Sequence, residues 1–144
     1  MTIRVASEHI QAWIRTGKGF VLPVEIAGRF GQYLDGLPWR GTGLDWSRIT
    51  GKKVVLGTLD EEQMAAWWAS VPIGRNPYLV FMYAPDEPCL ACESAFAFAN
   101  IDQAFWKAPG KRYVFGGSIH DGTFEPNFAH FAEYDGADTF VAAE

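Results

Sequence analysis

Two Asp-Gly dipeptides, Asp121-Gly122 and Asp135-Gly136, constrain this chain more than any other feature of its sequence. They punctuate three runs rich in strand formers, "RYVFGGSI", "NFAHFAEY" and "DTFVAA", with "HDGTFEP" and "YDGA" as the connections. Asp-Gly readily adopts the positive φ of a tight hairpin turn, Asp135-Gly136 being the good tight-hairpin signal of the two, so the last third is expected to run as strands joined by turns. Strict alternation places Phe128 and His130 on one face and Ala129 and Phe131 on the other. The carboxylates of this hairpin are expected to point into water.

Upstream, residues 7–16 suit a short helix with Ser7 as its N-cap and Ile10, Trp13 and Ile14 on one face. "GFVLPVEIAG" reads as a strand that Pro23 splits or confines to an edge. "AGRFGQYLDGLPW" suits one or two helical turns stopped by Gly36 and Pro38, and residues 38–47 form a loop carrying Trp39 and Trp46. "KKVVLGTL" reads as a strand. Thr58 with Glu61, or Asp60 with Gln63, offers a capping box for the amphipathic helix "EEQMAAWWASV", with Met64, Trp67, Trp68 and Val71 on one side. "YLVFMYA" is expected to be a central strand buried on both faces, followed by a helix over residues 89–105. With 144 residues, 49% of them apolar and 20% charged, the chain should form one globular domain. The expected fold is α+β, with a mixed or mainly antiparallel sheet of about five strands and helices packed mainly on one face.

The chemistry on offer is concentrated in Cys89-Leu90-Ala91-Cys92. If Cys89 opens a helix, the free N–H groups and the dipole there favour the thiolate. The preceding strand–helix–strand order, the CxxC and Pro126 ahead of a hairpin together resemble a thioredoxin-type domain over residues 52–141. That resemblance implies a thiol oxidoreductase with Cys89 as nucleophile, Cys92 as resolving thiol and Pro126 facing the pair. Against it, Asp86 and Glu87 would raise the Cys89 pKa, and residues 112–126 are too few for a strand plus a crossover helix. The alternative is packing: Cys89, Cys92, Phe96 and Ala99 share one helical face by spacing, and cysteine behaves as a small hydrophobe.

Other chemistry is sparse. His120 and His130 flank a predicted turn rather than sharing a helix, and His9 stands apart, so neither a metal nor another cofactor is expected. "GTGLDW" and "TGKGF" lack the phosphate-loop pattern and serve as turns. Asp45 and Asp60 suit turns or caps rather than a catalytic carboxylate pair.

Charge is unevenly distributed. The net charge is −5, and residues 113–144 contain no Lys or Arg but six carboxylates: Asp121, Glu125, Glu133, Asp135, Asp138 and Glu144. Such a stretch repels phosphate backbones and attracts a basic partner, which disfavours nucleic-acid binding. Aromatic residues reach 15%. These features lead to the expectation of a non-catalytic protein-binding inhibitor, an antitoxin, immunity protein or phage-encoded inhibitor acting on a basic, nucleic-acid-targeting toxin or enzyme. Its acidic, aromatic-rich surface would comprise Asp121, Glu125, Glu133, Tyr134, Asp135, Asp138, Trp39 and Trp46. A homodimer contact is a further use for the aromatics. No apolar run approaches the roughly 18 residues of a membrane span, and residues 1–13 lack the order of a secretory signal, so a cytoplasmic protein is expected.

Overall fold

The computed structural model describes residues 8–105 and 110–144. The predicted cap at Ser7 lies outside these residues. A seven-stranded sheet runs through the chain in the order β1-β6-β5-β7-β8-β9-β4, and every neighbouring pair is antiparallel. Its strands are β1 (Gly19–Leu22), β4 (Gly51–Val55), β5 (Tyr78–Met82), β6 (Cys89–Glu93), β7 (Arg112–His120), β8 (Thr123–Tyr134) and β9 (Thr139–Ala143). A separate ribbon pairs β2 (Trp39–Arg40) with β3 (Gly43–Leu44). The helices are α1 (Glu8–Arg15), α2 (Val24–Asp35), α3 (Glu61–Ala69), α4 (Ser94–Ala99) and α5 (Ile101–Ala104).

Both faces of the sheet are covered. One carries α1, α3, α4 and α5, with a core that includes Trp13, Trp68, Leu79, Phe81, Leu90, Phe98, Val114 and Phe140. The other carries α2 and the β2–β3 ribbon over Val80, Met82, Ala91, Phe115 and Phe131. Strand β5 alternates between these two cores, Leu79 and Phe81 into one and Val80 and Met82 into the other, as its unbroken apolar run predicts. The five-strand expectation is therefore too small, and while four of the five helices among the described residues share one face, the longest, α2, covers the other.

Several local expectations are met. Asp60 accepts from Gln63 N–H at 2.8 Å and Gln63 Oε1 accepts from Asp60 N–H at 3.0 Å, closing the capping box of α3. Asp121 (φ 51°) and Gly122 (φ 77°) make a two-residue turn between β7 and β8, whereas Asp135-Gly136, expected to be the tight hairpin, lies in a four-residue loop between Tyr134 and Thr139 with only Gly136 at positive φ (85°). The expected connection "HDGTFEP" is thus shorter, because Thr123–Tyr134 is all strand. The other differences have identifiable causes. Pro23 ends β1 and leads directly into α2, a full 12-residue helix rather than one or two turns. Ile14 lies outside the buried face of α1, at 38% exposure.

The alternation expected along β8 also fails at one place. Phe115 pairs with Phe131 but Gly116 pairs with Asn127, so Phe128, Ala129 and His130 form a bulge. The odd number of extra residues reverses the phase, and Phe128 and Phe131 both pack on the α2 side. Asn76 holds the bulge from the other face: its Nδ2 donates to Pro72 O and Ile73 O and lies 3.0 Å from His130 Nδ1. A Cβ on Gly116 would overlap the Asn76 side chain, so this position has room only for glycine.

Candidate functional site

The main correction concerns Cys89-Leu90-Ala91-Cys92. It forms strand β6, hydrogen-bonded between β1 and β5, not the start of a helix. Pairing on both edges, with burial on both faces, outweighs the helix-compatible composition of these residues. Residues three apart on a strand point to opposite faces, so Cys89 packs with the α2-side core and Cys92 with the other. Their Cα atoms are about 10 Å apart at strand rise, beyond the 4.4–6.8 Å that a disulfide spans. Both are free and fully buried. Burial pushes each thiol up to about 12, with the neighbouring Glu93 charge adding to the effect at Cys92. Pro126 aligns through Gly117 and Tyr78 with Glu93, three strands from β6. That is about 14 Å away in the sheet. In addition, β4 and β5 lie four places apart in the sheet rather than side by side as parallel partners. The thioredoxin-type resemblance does not extend to the fold.

The expected acidic surface is also rearranged. Glu133 is 5% exposed and points into the α2 side, where it organises a polar centre. Its Oε2 accepts from Leu44 N–H at 2.8 Å and from Tyr113 O–H at 2.9 Å. Its Oε1 accepts from Trp46 Nε1–H at 3.2 Å and lies 3.6 Å from Lys111 Nζ. Burial and the adjacent Glu133 charge push the Tyr113 phenol well above its usual range, so it remains a donor. Three hydrogen-bond donors and the Lys111 ammonium beside them compensate the burial of this carboxylate. This centre ties the β2–β3 ribbon and Trp46 to β7 and β8, and the geometry leaves it no ready lone pair for chemistry. Residues 44, 46, 113 and 133 are distant in sequence, so only the mixed polarity of β8 hinted that one carboxylate turns inward.

Tyr134 is buried at 2% exposure, stacked on Phe105, with its O–H donating to Ala137 O at 3.2 Å. Asp135 accepts from the N–H groups of Ala137, Asp138 and Thr139 at 2.8, 3.0 and 3.0 Å. Partial burial raises its pKa, but these bonds outweigh it and hold the carboxyl below its ordinary value. Trp46 is half-buried, and Trp39, at 40% exposure, donates from Nε1 to Leu34 O at 2.8 Å and packs edge-on to Tyr113. Asp121, Glu125 and Asp138 are exposed. They do not form one patch. Asp121 and Glu125 sit at the β7–β8 turn, whereas Asp138 lies at the opposite end of these strands, about 26 Å along the sheet.

Ser118, His120 and Glu125 come together at that exposed turn. Ser118 Oγ lies 3.1 Å and Glu125 Oε2 3.8 Å from His120, but both contact Nε2. A hydrolytic relay needs the acid on one ring nitrogen and the nucleophile on the other. Asp45 accepts from the N–H and O–H of Ser47, as a turn residue. Among the described residues there is no metal-holding group of three or more His, Cys, Asp or Glu side chains.

Two concavities among the described residues are large enough to matter. One, about 670 Å³, is lined by Gly17, Lys18, Phe20, Tyr78, Glu93 and Phe96 beside edge strand β1. Lys18 Nζ sits 5.1 Å from the Phe96 ring centre, and Glu93 caps α4 by accepting from Ala95 N–H and Phe96 N–H. The other, about 450 Å³, lies between α3 and α4 and includes Asp60, Glu61, Trp68 and Phe98. No protein family, curated protein or solved structure matches this chain.

Proposed function

We propose that this chain is a non-catalytic inhibitor that occupies a basic protein, of the antitoxin or immunity kind, whose target acts on nucleic acid. The observation that carries this reading is an excess of surface carboxylates. Residues 113–144 contain no Lys or Arg, and Asp121, Glu125, Asp138 and Glu144 are exposed; a further group, Asp60, Glu61, Glu62 and Asp102, is exposed on the helical side. An acidic surface of this kind speeds association with a basic partner and repels nucleic acid, so the inhibitor would not compete for its target's substrate. The groups with chemical potential are meanwhile committed to structure. Glu133 is saturated with donors, and the two thiols lie on opposite faces of the sheet.

The test is capture of the partner from the native host, followed by surface plasmon resonance at several salt concentrations. The partner should be basic, and its association rate should fall steeply as the Debye length shrinks from about 10 Å at 0.1 M to about 3 Å at 1 M. Charge reversal belongs at Asp138, Asp121 and Glu125, because Glu133 and Asp135 hold the fold. An acidic partner, or a rate indifferent to salt, would overturn the reading.

A further inference from the structure

The groove between α3 and α4 joins an apolar floor to an acidic rim. The floor is made by Trp68 and Phe98, whose rings stack 4.2 Å apart at 8°. Both are buried, and Trp68 is fixed from below by its Nε1–H donating to Ser94 Oγ at 2.9 Å. Half-buried Leu59 and Met64 form one wall. On the other wall and lip, Ala65 and Ala99 are exposed, and their single methyl groups leave an apolar hollow between them and Met64, above floor rings that are only 5% and 3% exposed. The volume, about 450 Å³, falls within the usual range of binding pockets.

Charge selects the occupant. Asp60 and Glu61 line the rim and Glu62 follows them, all three exposed. The cations nearest α3, Lys52 and Arg75, contact Ser70 at its C-terminal end, so the groove's negative charge is concentrated at the Asp60 end. An acidic ligand meets repulsion at this end, while a Lys or Arg beside an apolar side chain meets complementary charge and an apolar hollow.

We propose that this groove is where the basic partner docks, seating one apolar side chain of the partner against Met64, Ala65 and Ala99 in the hollow above Trp68 and Phe98, with flanking Lys or Arg over Asp60 and Glu61. The proposal rests on the inhibitor reading and locates its main anchor on the helical face, not on the β7–β8 hairpin.

The probe is a library of phage-displayed random peptides selected on the immobilised full chain. Selected peptides should combine an aromatic or aliphatic residue with Lys or Arg. The tightest of them, made synthetically, should bind at least about tenfold more weakly to Ala65→Arg and to Ala99→Arg, since a central anchor contact is worth more than about 1.4 kcal/mol. Both substitutions are at exposed positions, and unchanged melting curves confirm the fold. Asp60→Asn with Glu61→Gln, which keeps a cap residue on α3, should weaken binding several-fold at low salt and much less at 1 M. Gln32→Lys, exposed on α2 across the sheet, should leave it unchanged. Selection of acidic peptides, failure to select any, or full binding by both arginine variants would overturn the groove assignment, as would self-association that the arginine variants abolish. A captured basic partner that ignores Ala65→Arg would remove the groove and leave the inhibitor reading standing. Peptides that need the groove, with no basic partner in the host, would do the reverse.

Discussion

Replacing Glu133 by Gln tests the polar centre that fixes the ribbon to the sheet. The substitution preserves shape but leaves one oxygen where the carboxylate has two. If that oxygen keeps Leu44 N–H and Tyr113 O–H, the new amide N–H₂ faces the Trp46 N–H and the Lys111 ammonium, donor against donor. A hydrogen bond to a charged group contributes about 1.5–3 kcal/mol, and a buried donor left unpaired costs about 1–3 kcal/mol. The Lys111 pair adds little, since that lysine is 39% exposed and solvent screens it. The expected loss is therefore about 2–4 kcal/mol, dominated by the Trp46 contact. For a chain of this size that corresponds to roughly 5–15 °C in Tm. Glu133→Ala should cost at least as much, because it orphans all three hydrogen-bond donors. Urea unfolding followed by Trp fluorescence and far-UV circular dichroism measures both, with the m-value expected to stay constant. A loss below about 1 kcal/mol for Glu133→Gln would refute the claim that Glu133 is a structural carboxylate held by these donors.

The remaining expectations concern the thiols, the β8–β9 loop and a tight helix end. Cys89 and Cys92 should resist a thiol reagent at pH 8 until the chain unfolds; because the folded thiols keep their protons to about pH 12 while unfolded ones ionise near 9.0, stability should fall above pH 9. For each thiol the slope rises from about 0.7 kcal/mol per pH unit at pH 9 towards a limit of about 1.4 above pH 10, and Cys89→Ala with Cys92→Ala should flatten it. Asp135→Ala should cost about 1–2 kcal/mol by freeing three backbone N–H groups. Its contribution is present above the ordinary carboxyl range and is lost as pH falls through its depressed pKa, so an acid titration of the wild type and Asp135→Asn should converge at low pH. Gly74→Ala would drive a Cβ into the Trp68 carbonyl at the end of α3, and a loss of at least about 2 kcal/mol in thermal or urea unfolding is expected.

Local chemistry was the most legible part of the fold. The Asp60–Gln63 capping box, the Asp121-Gly122 turn and the doubly buried run in β5 depend on residues close in sequence, and each appears where the pattern puts it. What depends on distant pairing was not legible. Cys89-Leu90-Ala91-Cys92 carries no β-branched residue, and only the flanking β1 and β5 make it a strand. The bulge that turns Phe128 toward the α2 side is set by Asn76 and Gly116 on other strands and turns, not by β8 itself. Glu133 looks like an ordinary hairpin carboxylate until residues 44, 46 and 113 bring donors to it. The acidic bias was visible in composition, but its division between opposite ends of the sheet and the helical side was not, because charge along a chain says little about where strands leave it.

The central proposal is that this chain acts by occupying a basic protein, without chemistry of its own. The most direct measurement titrates the chain into its purified host partner while following that partner's activity on nucleic acid. The account predicts loss of activity that is complete near equimolar ratio, equal for wild type and for Cys89→Ala with Cys92→Ala, and reversed when the complex is dissociated in high salt. Undiminished partner activity at excess inhibitor, or inhibition that requires the cysteines and leaves the partner covalently changed by mass, would contradict it.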